Sequence, residues 1–123
     1  IYRTIVLVPG VEDGLIVNLD LPGGKFFMPL FVKLKEGLTL DEPLKKAIND
    51  RLRSEYTPRH VPDRIFQVPS IPYTISGKRM EVPVRRILSG VPVAKAANRD
   101  AMADPTALDW FIEYAKTQQD YKL

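Results

Sequence analysis

The strongest structural signal in the sequence is LIVNLDLPGGKFFMPLFVKLK, which spans residues 15–35. Two runs rich in β-branched and aromatic residues flank a cluster of turn-forming residues at positions 21–25. This pattern predicts two strands, over residues 15–20 and 26–35, that pair as a hairpin. Because the Gly-Gly-Lys of this cluster lies between two strands rather than before a helix, we interpret it as a hairpin turn and not as a phosphate-binding loop.

A helix is predicted directly after the hairpin. Apolar residues recur at helical spacing over residues 40–56, and Thr39 and Glu42 fit a capping box in front of them. A short third strand is expected at residues 65–68, and it is followed by a loop over residues 69–78. Up to residue 78, the chain is therefore predicted to contain both strands and a helix.

The remaining residues favour two further helices. Pro83 suits the first position of a short helix that Gly90 ends. Asp104 and Pro105 are typical of the start of a last helix, whose aromatic residues we interpret as its packing face: Trp110, Phe111 and Tyr114. The fold class predicted for the chain is therefore α+β, with a short β-sheet (hairpin plus third strand) flanked by helices.

Length and composition limit the classes of function. With 123 residues, 45% hydrophobic and 27% charged, the chain is expected to form an ordinary globular domain. The absence of cysteine excludes disulfides and thiolate metal sites, and a single histidine, His60, excludes a multi-histidine metal site within the chain. Since the chain opens on Ile1 without a signal-peptide pattern, we expect a segment of a longer, cytoplasmic protein.

The positive charge is concentrated in the middle of the chain. Residues 51–95 contain 9 Lys and Arg against 3 Asp and Glu, whereas the whole chain carries a net charge of only +3. Such a basic region attracts phosphates of any kind, including nucleotides, nucleic acids and lipid headgroups. A solvated basic surface with no ligand is the alternative interpretation.

The stretch IPYTISGKRM, residues 71–80, carries the main functional signal. Two prolines stiffen the approach to this loop, and Ser76 and Gly77 form a tip that carries Lys78. A long cationic side chain on such a tip suits the delivery of positive charge into the active site of another domain. The alternative is a solvated lysine in an ordinary turn.

Residues 72–78, PYTISGK, resemble the Pro-x-Thr-x-Ser-Gly-Lys motif of the adenylate-forming acyl-CoA synthetases. Arg53 and Pro62-Asp63 stand at the places where that family has an arginine and a Pro-Asp pair. Residues 19–31, 81–88 and 98–102 are similar to the C-terminal domain of the acetoacetyl branch, so that the resemblance covers essentially the whole chain. Departing from the wider family, residues 81–84 stand where an arginine-rich helix usually follows the lysine.

The resemblance implies the small C-terminal domain of a two-step ligase. Acetoacetate would attack the α-phosphate of ATP, and the thiol of CoA would then attack the acyl-adenylate and release AMP. A large N-terminal domain of the same protein would bind ATP, Mg²⁺ and the acid, so this chain alone should be inactive. Residues 1–90 would form the mobile core, and residues 91–123 would form an extension with a final helix.

The resemblance also implies roles for single residues. Lys78 would be the catalytic residue of adenylation, because its compact charge counters the repulsion between a carboxylate and a triphosphate. The cofactor-binding residues would be Arg53, which would contact a phosphate of CoA, together with Ser76 and Gly77, which would shape the tip. Lys78 would also be a site for a lysine acetyltransferase.

Some arginines and the histidine are weaker candidates. Arg51 and Arg59 are less favoured alternatives to Arg53, and Arg53 itself could simply stabilise the end of its helix. His60 is interpreted as a loop residue without a catalytic role. The resemblance implies neither a membrane nor a nucleic acid as partner.

Two alternative functions come from other classes of protein. A small basic α+β domain can bind RNA, and such domains carry aromatic residues on an exposed sheet face. Phe27 and Phe31 are expected on one face of the second strand, although the basic residues cluster elsewhere. A protein-interaction module is the third possibility, and it predicts that Lys78 affects no reaction.

Overall fold

The computed structural model describes residues 2–55 and 61–121. Its helices are α1 (Tyr2–Val6), α2 (Glu42–Glu55), α3 (Glu81–Leu88), α4 (Val93–Ala96) and α5 (Asp109–Thr117). Its strands are β1 (Val11–Ile16), β2 (Leu19–Leu21), β3 (Lys25–Phe27), β4 (Pro29–Leu34) and β5 (Arg64–Gln67). The predicted α+β class is confirmed. The chain divides into two compact units, Ile1–Ile16 with Pro29–Ile71 and Val17–Met28 with Pro72–Leu123.

The first unit is built on a three-stranded sheet with the order β1-β4-β5. Strand β4 pairs antiparallel with β1 and parallel with β5, where Phe31 lies opposite Phe66. Parallel neighbours need a long connection between them, and α2 supplies it. The core of this unit contains apolar residues of α1, α2 and the sheet: Ile5, Val8, Val11, Leu30, Val32, Leu34, Ile48, Leu52 and Ile65.

The predicted start of the long helix is wrong by two residues. The helix begins at Glu42, and Asp41 caps it: its carboxylate accepts a hydrogen bond from the amide of Leu44 at 2.9 Å. A helix capped at Thr39 would place Pro43 where an amide must donate within the helix, and proline has none. With Asp41 as the cap, Pro43 falls in the first turn, where amides have no intrahelical partner. Tyr56, the predicted last residue of this helix, lies outside the described residues.

The predicted hairpin is confirmed at its turn and wrong in its strands. Strands β2 and β3 pair antiparallel around the turn, with Leu21 opposite Lys25. The predicted strand 15–20 is divided between β1 and β2, and the predicted strand 26–35 is divided between β3 and β4. Each run is continuous in hydrophobicity but changes its pairing partner, because β1 and β4 belong to a different sheet from β2 and β3.

The second unit combines the β2–β3 hairpin with helices α3, α4 and α5. Helix α3 packs against both α4 and α5. The carboxylate of Asp104 caps the predicted last helix by accepting from the amide of Thr106 at 3.0 Å, but this helix opens as a 3-10 turn, Pro105–Leu108, before α5 begins. Helix α3 begins at Glu81, so Pro83 is its third residue and not its first as predicted. Phe111 is fully buried, as expected for a packing face.

Two buried contacts tie the end of the described chain to this unit. The hydroxyl of Tyr121 donates to the carbonyl of Leu88 at 2.5 Å, and its ring centroid lies 5.4 Å from that of Phe27. Phe27 is therefore part of the packing of this unit. Within the part of the chain that the structure describes, no helix is long and apolar enough to cross a membrane.

Candidate functional site

Lys78 closes a tight turn whose backbone is fixed by hydrogen bonds at both ends. We call residues 74–78 the Lys78 turn. The amide of Thr74 donates to the carbonyl of Lys78 at 2.9 Å, and the amide of Gly77 donates to the carbonyl of Thr74 at 2.9 Å. Behind the turn, Tyr73 bridges to Arg79, and the amide of Met80 donates to the carbonyl of Pro72 at 3.1 Å. The motif therefore folds as a short hairpin with Lys78 at its end.

The side chains of the motif stabilise this turn. The hydroxyl of Thr74 accepts from the amide of Lys78 at 3.1 Å and lies 3.0 Å from the hydroxyl of Ser76. Gly77 adopts a φ of +86°, in the left-handed region that glycine enters without steric cost. Ser76 and Gly77 thus shape the backbone that presents Lys78. The contact of Ser76 and Gly77 with a cofactor stays a prediction.

The ammonium of Lys78 is presented to solvent. The residue is exposed, and among the residues that the structure describes its side chain has no hydrogen-bond or ion-pair partner. Its neighbour Arg79 differs, since that guanidinium lies 5.5 Å from the centre of the Tyr73 ring. Ile75, also in the Lys78 turn, is 71% exposed. A cation beside an apolar side chain at the end of a fixed hairpin is suited to insertion into another surface.

A second strand-like contact, which the sequence does not predict, supports the turn from its other edge. The amide of Ile75 donates to the carbonyl of Ala101 at 2.9 Å, and the amide of Ala103 donates to the carbonyl of Tyr73 at 3.0 Å. Thr74 and Met102 form the antiparallel bridge between these bonds. Because the contact is made by backbone atoms, the side chains of residues 101–103 do not predict it.

Arg53 lies in the first unit, on the last turn of α2. Its guanidinium donates to the carboxylate of Asp50 at 3.3 Å, and its side chain is 57% exposed. Asp50 also accepts from the ammonium of Lys46 at 2.7 Å, and this hydrogen bond lowers the pKa of its carboxyl group. Arg53 is thus accessible to a phosphate. Among the described residues its guanidinium is held by an exposed ion pair, of the kind that contributes little to stability.

The other candidates of this region differ in their surroundings. Arg51 lies 3.0 Å from the carboxylate of Glu55, one helical turn further on, and is half-buried. Its role is that of an intrahelical pair, which favours Arg53 as the accessible arginine. Arg59 and His60 lie outside the described residues.

Arg53 lies outside the surface crevice beside α2, and the described residues offer no metal-binding cluster. Among residues 2–55 and 61–121, no group of three or more His, Asp or Glu side chains could hold a metal ion. A shallow crevice of about 170 Å³ next to α2 is lined by Lys45, Asn49, Pro62, Asp63, Arg64 and Ile65, and it does not include Arg53. The chemistry that Lys78 and Arg53 offer is exposed cationic charge.

Several known proteins that are similar to this chain are acetoacetyl-CoA synthetases. An acetoacetyl-CoA synthetase of Caenorhabditis elegans is 38% identical over 115 residues, which are 93% of this chain and 16% of that protein. The acetoacetyl-coenzyme A synthetase of Rhizobium meliloti (strain 1021) is 48% identical over 111 residues, or 90% of this chain and 16% of that protein. The solved acetoacetyl-CoA synthetase from Streptomyces lividans superposes with a TM-score of 0.83 at 39% identity, covering 94% of this chain and 17% of that one. No family model matches the chain.

The chain belongs to the acetoacetyl-CoA synthetase family. Its α+β architecture is that of the small C-terminal domain of the adenylate-forming enzymes. The chain spans only 16% of the length of the acetoacetyl-CoA synthetases it matches in sequence. The resemblance carried by residues 72–78, and by residues 19–31, 81–88 and 98–102, is therefore confirmed.

Proposed function

We propose that this chain acts as the C-terminal domain of an acetoacetate–CoA ligase, which converts acetoacetate, ATP and CoA into acetoacetyl-CoA, AMP and pyrophosphate. The observation that carries the proposal is the presentation of Lys78: an exposed lysine, unpaired among the described residues, on a turn closed by four hydrogen bonds. The family to which the chain belongs supports the choice of acid. Because the chain spans only 16% of the length of the acetoacetyl-CoA synthetases it matches, a second, N-terminal domain of the same protein would supply the binding sites.

In the first half-reaction, a carboxylate oxygen of acetoacetate attacks the α-phosphorus of ATP, and the bond to pyrophosphate breaks. Both partners are anionic, and negative charge accumulates on the α-phosphate oxygens and on the leaving pyrophosphate. A fixed ammonium between them stabilises that transition state more than it stabilises the separated reactants. Lys78 would supply this charge and align the carboxylate with the α-phosphate.

In the second half-reaction, the thiol of CoA attacks the carbonyl carbon of acetoacetyl-adenylate, and AMP leaves. Here no carboxylate has to approach a triphosphate, so Lys78 should contribute little. Arg53 would instead bind a phosphate of CoA. Its guanidinium fork is exposed, and its ion pair with Asp50, at 3.3 Å, is itself exposed and leaves the fork accessible. Mg²⁺ would neutralise charge on ATP. The described residues lack a cluster that could hold it, and we assign its ligands to the N-terminal domain.

Measuring the two half-reactions separately in the full-length ligase tests the role of Lys78. For Lys78→Ala, we expect acetoacetate-dependent exchange between ATP and pyrophosphate to fall by a factor of about 10²–10³, the usual cost of removing one charge-stabilising group. Thioester formation from supplied acetoacetyl-adenylate and CoA should stay within about twofold of the wild type. Lys25→Ala is the matched control, because Lys25 is an exposed lysine beside the turn of the β2–β3 hairpin.

Equal loss of both half-reactions, or loss of neither, would contradict this assignment. The same assay tests regulation, since acetylation of Lys78 would remove the charge in the manner of the alanine variant. We expect enzyme acetylated at Lys78 to lose exchange activity and a deacetylase to restore it. A cytoplasmic enzyme of lipid metabolism would be the setting for this control.

The RNA-binding alternative loses the observation that favoured it. This alternative needs Phe27 and Phe31 on an exposed face of one strand, but they lie in β3 and β4 and are 7% and 0% exposed. Aromatic residues that stack on bases must be accessible. Phe26 is 65% exposed, but the two residues on which the alternative depends are buried.

A further inference from the structure

We infer that residues 101–103 position Lys78 for adenylation by holding the Lys78 turn through backbone hydrogen bonds. We call these residues the bracing segment. The inference rests on the proposed function of Lys78, but the bracing itself is a separate property that can be measured without any reaction.

Residues 72–75, the first arm of the hairpin that carries Lys78, form hydrogen bonds on both of their edges. On one edge, Thr74 and Pro72 bond to Lys78 and Met80, the returning arm of the same hairpin. On the other edge, the carbonyl of Tyr73 and the amide of Ile75 bond to the bracing segment. This alternation is that of a central strand, whose successive residues bond to opposite neighbours.

A central strand changes the expected behaviour of the turn. An isolated two-stranded hairpin is marginally stable in water, whereas a third strand makes such a unit persist. The hairpin that carries Lys78 has only one bridge between its arms, Tyr73 to Arg79, so its own ladder is short. The bracing segment adds the bridge between Thr74 and Met102, whose two hydrogen bonds lie at the start of the Lys78 turn.

The bracing segment is itself anchored at several points. Met102 is 4% exposed, so its side chain holds the segment in the packed interior of the second unit. On either side, Asn98 and Asp104 accept hydrogen bonds from the amides of Asp100 and Thr106, both at 3.0 Å. These bonds fix the loops that enter and leave the segment.

Arg99 completes the anchoring by closing the loop after the segment. Its guanidinium donates to the carbonyl of Pro105 at 2.6 Å and to the carboxylate of Asp109 at 3.2 Å. One side chain thus connects the residues before the bracing segment with the start of α5. Because a guanidinium can hold two acceptors in a fixed geometry, Arg99 is a positioning residue for the segment.

Ala103 offers a variant that removes one bracing hydrogen bond at a position where the side chain is exposed. Ala103→Pro has no amide to donate to the carbonyl of Tyr73, and the preceding residue, Met102, already has the extended conformation that proline requires (φ −95°, ψ 141°). Ala103→Ser keeps the amide and is the matched control. Arg99→Ala weakens the same segment without altering its backbone, and it serves if the proline variant does not fold.

The first measurement is hydrogen exchange of peptides covering residues 72–80 in the full-length ligase. We expect exchange in this stretch to be five- to tenfold faster in Ala103→Pro and in Arg99→Ala, and unchanged in Ala103→Ser. The second measurement is ATP–pyrophosphate exchange, which should fall five- to tenfold in the same two variants. Thioester formation from supplied adenylate should be unaffected, a separation that general loss of structure would not produce.

The inference fails if residues 72–80 exchange at the wild-type rate in both weakened variants. It also fails if exchange becomes faster while adenylation is unchanged, because the turn would then need no brace. Lys78→Ala separates these outcomes from the proposed function: if that variant keeps full adenylation, the catalytic role of Lys78 is wrong whatever the bracing segment does.

Discussion

Replacing Gly77 with alanine is expected to lower adenylation five- to thirtyfold, through the backbone of the Lys78 turn alone. Gly77 has a φ of +86°, and a Cβ atom added there meets nothing within 4 Å. The cost is therefore conformational rather than a clash, and the left-handed region costs an alanine about 1–2 kcal/mol. If the turn must adopt this conformation to present Lys78, that cost is added to the barrier, and 1.36 kcal/mol corresponds to tenfold in rate.

Gly24→Ala is the matched control for this prediction. Gly24 lies in the turn between β2 and β3, has a φ of +73°, and likewise has nothing within 4 Å of an added Cβ. It imposes the same kind of backbone strain in the same unit, away from Lys78. Gly77→Asn is expected to recover part of the activity, because asparagine tolerates the left-handed region better than alanine.

ATP–pyrophosphate exchange and thioester formation from supplied adenylate are measured for the three variants in the full-length ligase. The expected result is a loss confined to exchange and to Gly77→Ala, with partial recovery in Gly77→Asn. Exchange at the wild-type rate in Gly77→Ala would refute the argument that the turn geometry limits adenylation. An equal loss in Gly24→Ala would refute it as well, since the effect would then reflect general strain.

Two further predictions concern other parts of the chain. Arg53→Ala should raise the KM for CoA about tenfold or more, as expected for a charge-assisted hydrogen bond, and leave ATP–pyrophosphate exchange unchanged; an unaltered KM would leave Arg53 only its helix-end pair with Asp50. Burial raises the pKa of Tyr121 to about 12. Between pH 10 and pH 12 the phenol therefore stays protonated in the folded chain, whereas in the unfolded chain it ionises above about pH 10. This stabilisation is present below pH 10 and is lost as the pH rises toward 12, by about 2 kcal/mol; urea unfolding should show that loss in the wild type and a smaller one in Tyr121→Phe.

The sequence predicts the elements of the fold well and their pairing poorly. The hairpin turn follows from local chemistry, because Pro22 and the glycines after it favour a turn between apolar runs. The division of those runs into four strands does not, since Val17 and Asn18 break no hydrophobic pattern although they separate β1 from β2. Which strand pairs with which is decided by tertiary packing, and composition within one run does not record it.

The start of α2 is different, because the sequence contained the deciding information. Both Thr39 and Asp41 can cap a helix, and the presence of Glu42 made Thr39 attractive. The position of Pro43 resolves the choice, since proline is tolerated in the first turn and not beyond it. A local backbone argument of this kind is stronger than a match to a capping pattern.

The functional residues were predictable to different degrees for the same physical reason. The motif around Lys78 can be predicted from the sequence, because a left-handed glycine and two hydroxyl groups each require particular residue types. The contact made by the bracing segment, residues 101–103, cannot be predicted in this way, because it uses amides and carbonyls that nearly every residue possesses. Sequence separation hides it further, as it lies well beyond the motif it supports.

The residues of the motif act together to position a single charge, the ammonium of Lys78. Pro72 supplies a carbonyl to the returning arm, Thr74 accepts from the amide of Lys78, and Gly77 allows the chain to turn. Only Lys78 adds an ionised group, and it is the member whose side chain has no partner among the described residues. Substitutions at the other positions should therefore act through the placement of that ammonium, so their effects on adenylation should not add to that of Lys78→Ala, and double variants that lack Lys78 should be no slower than Lys78→Ala alone.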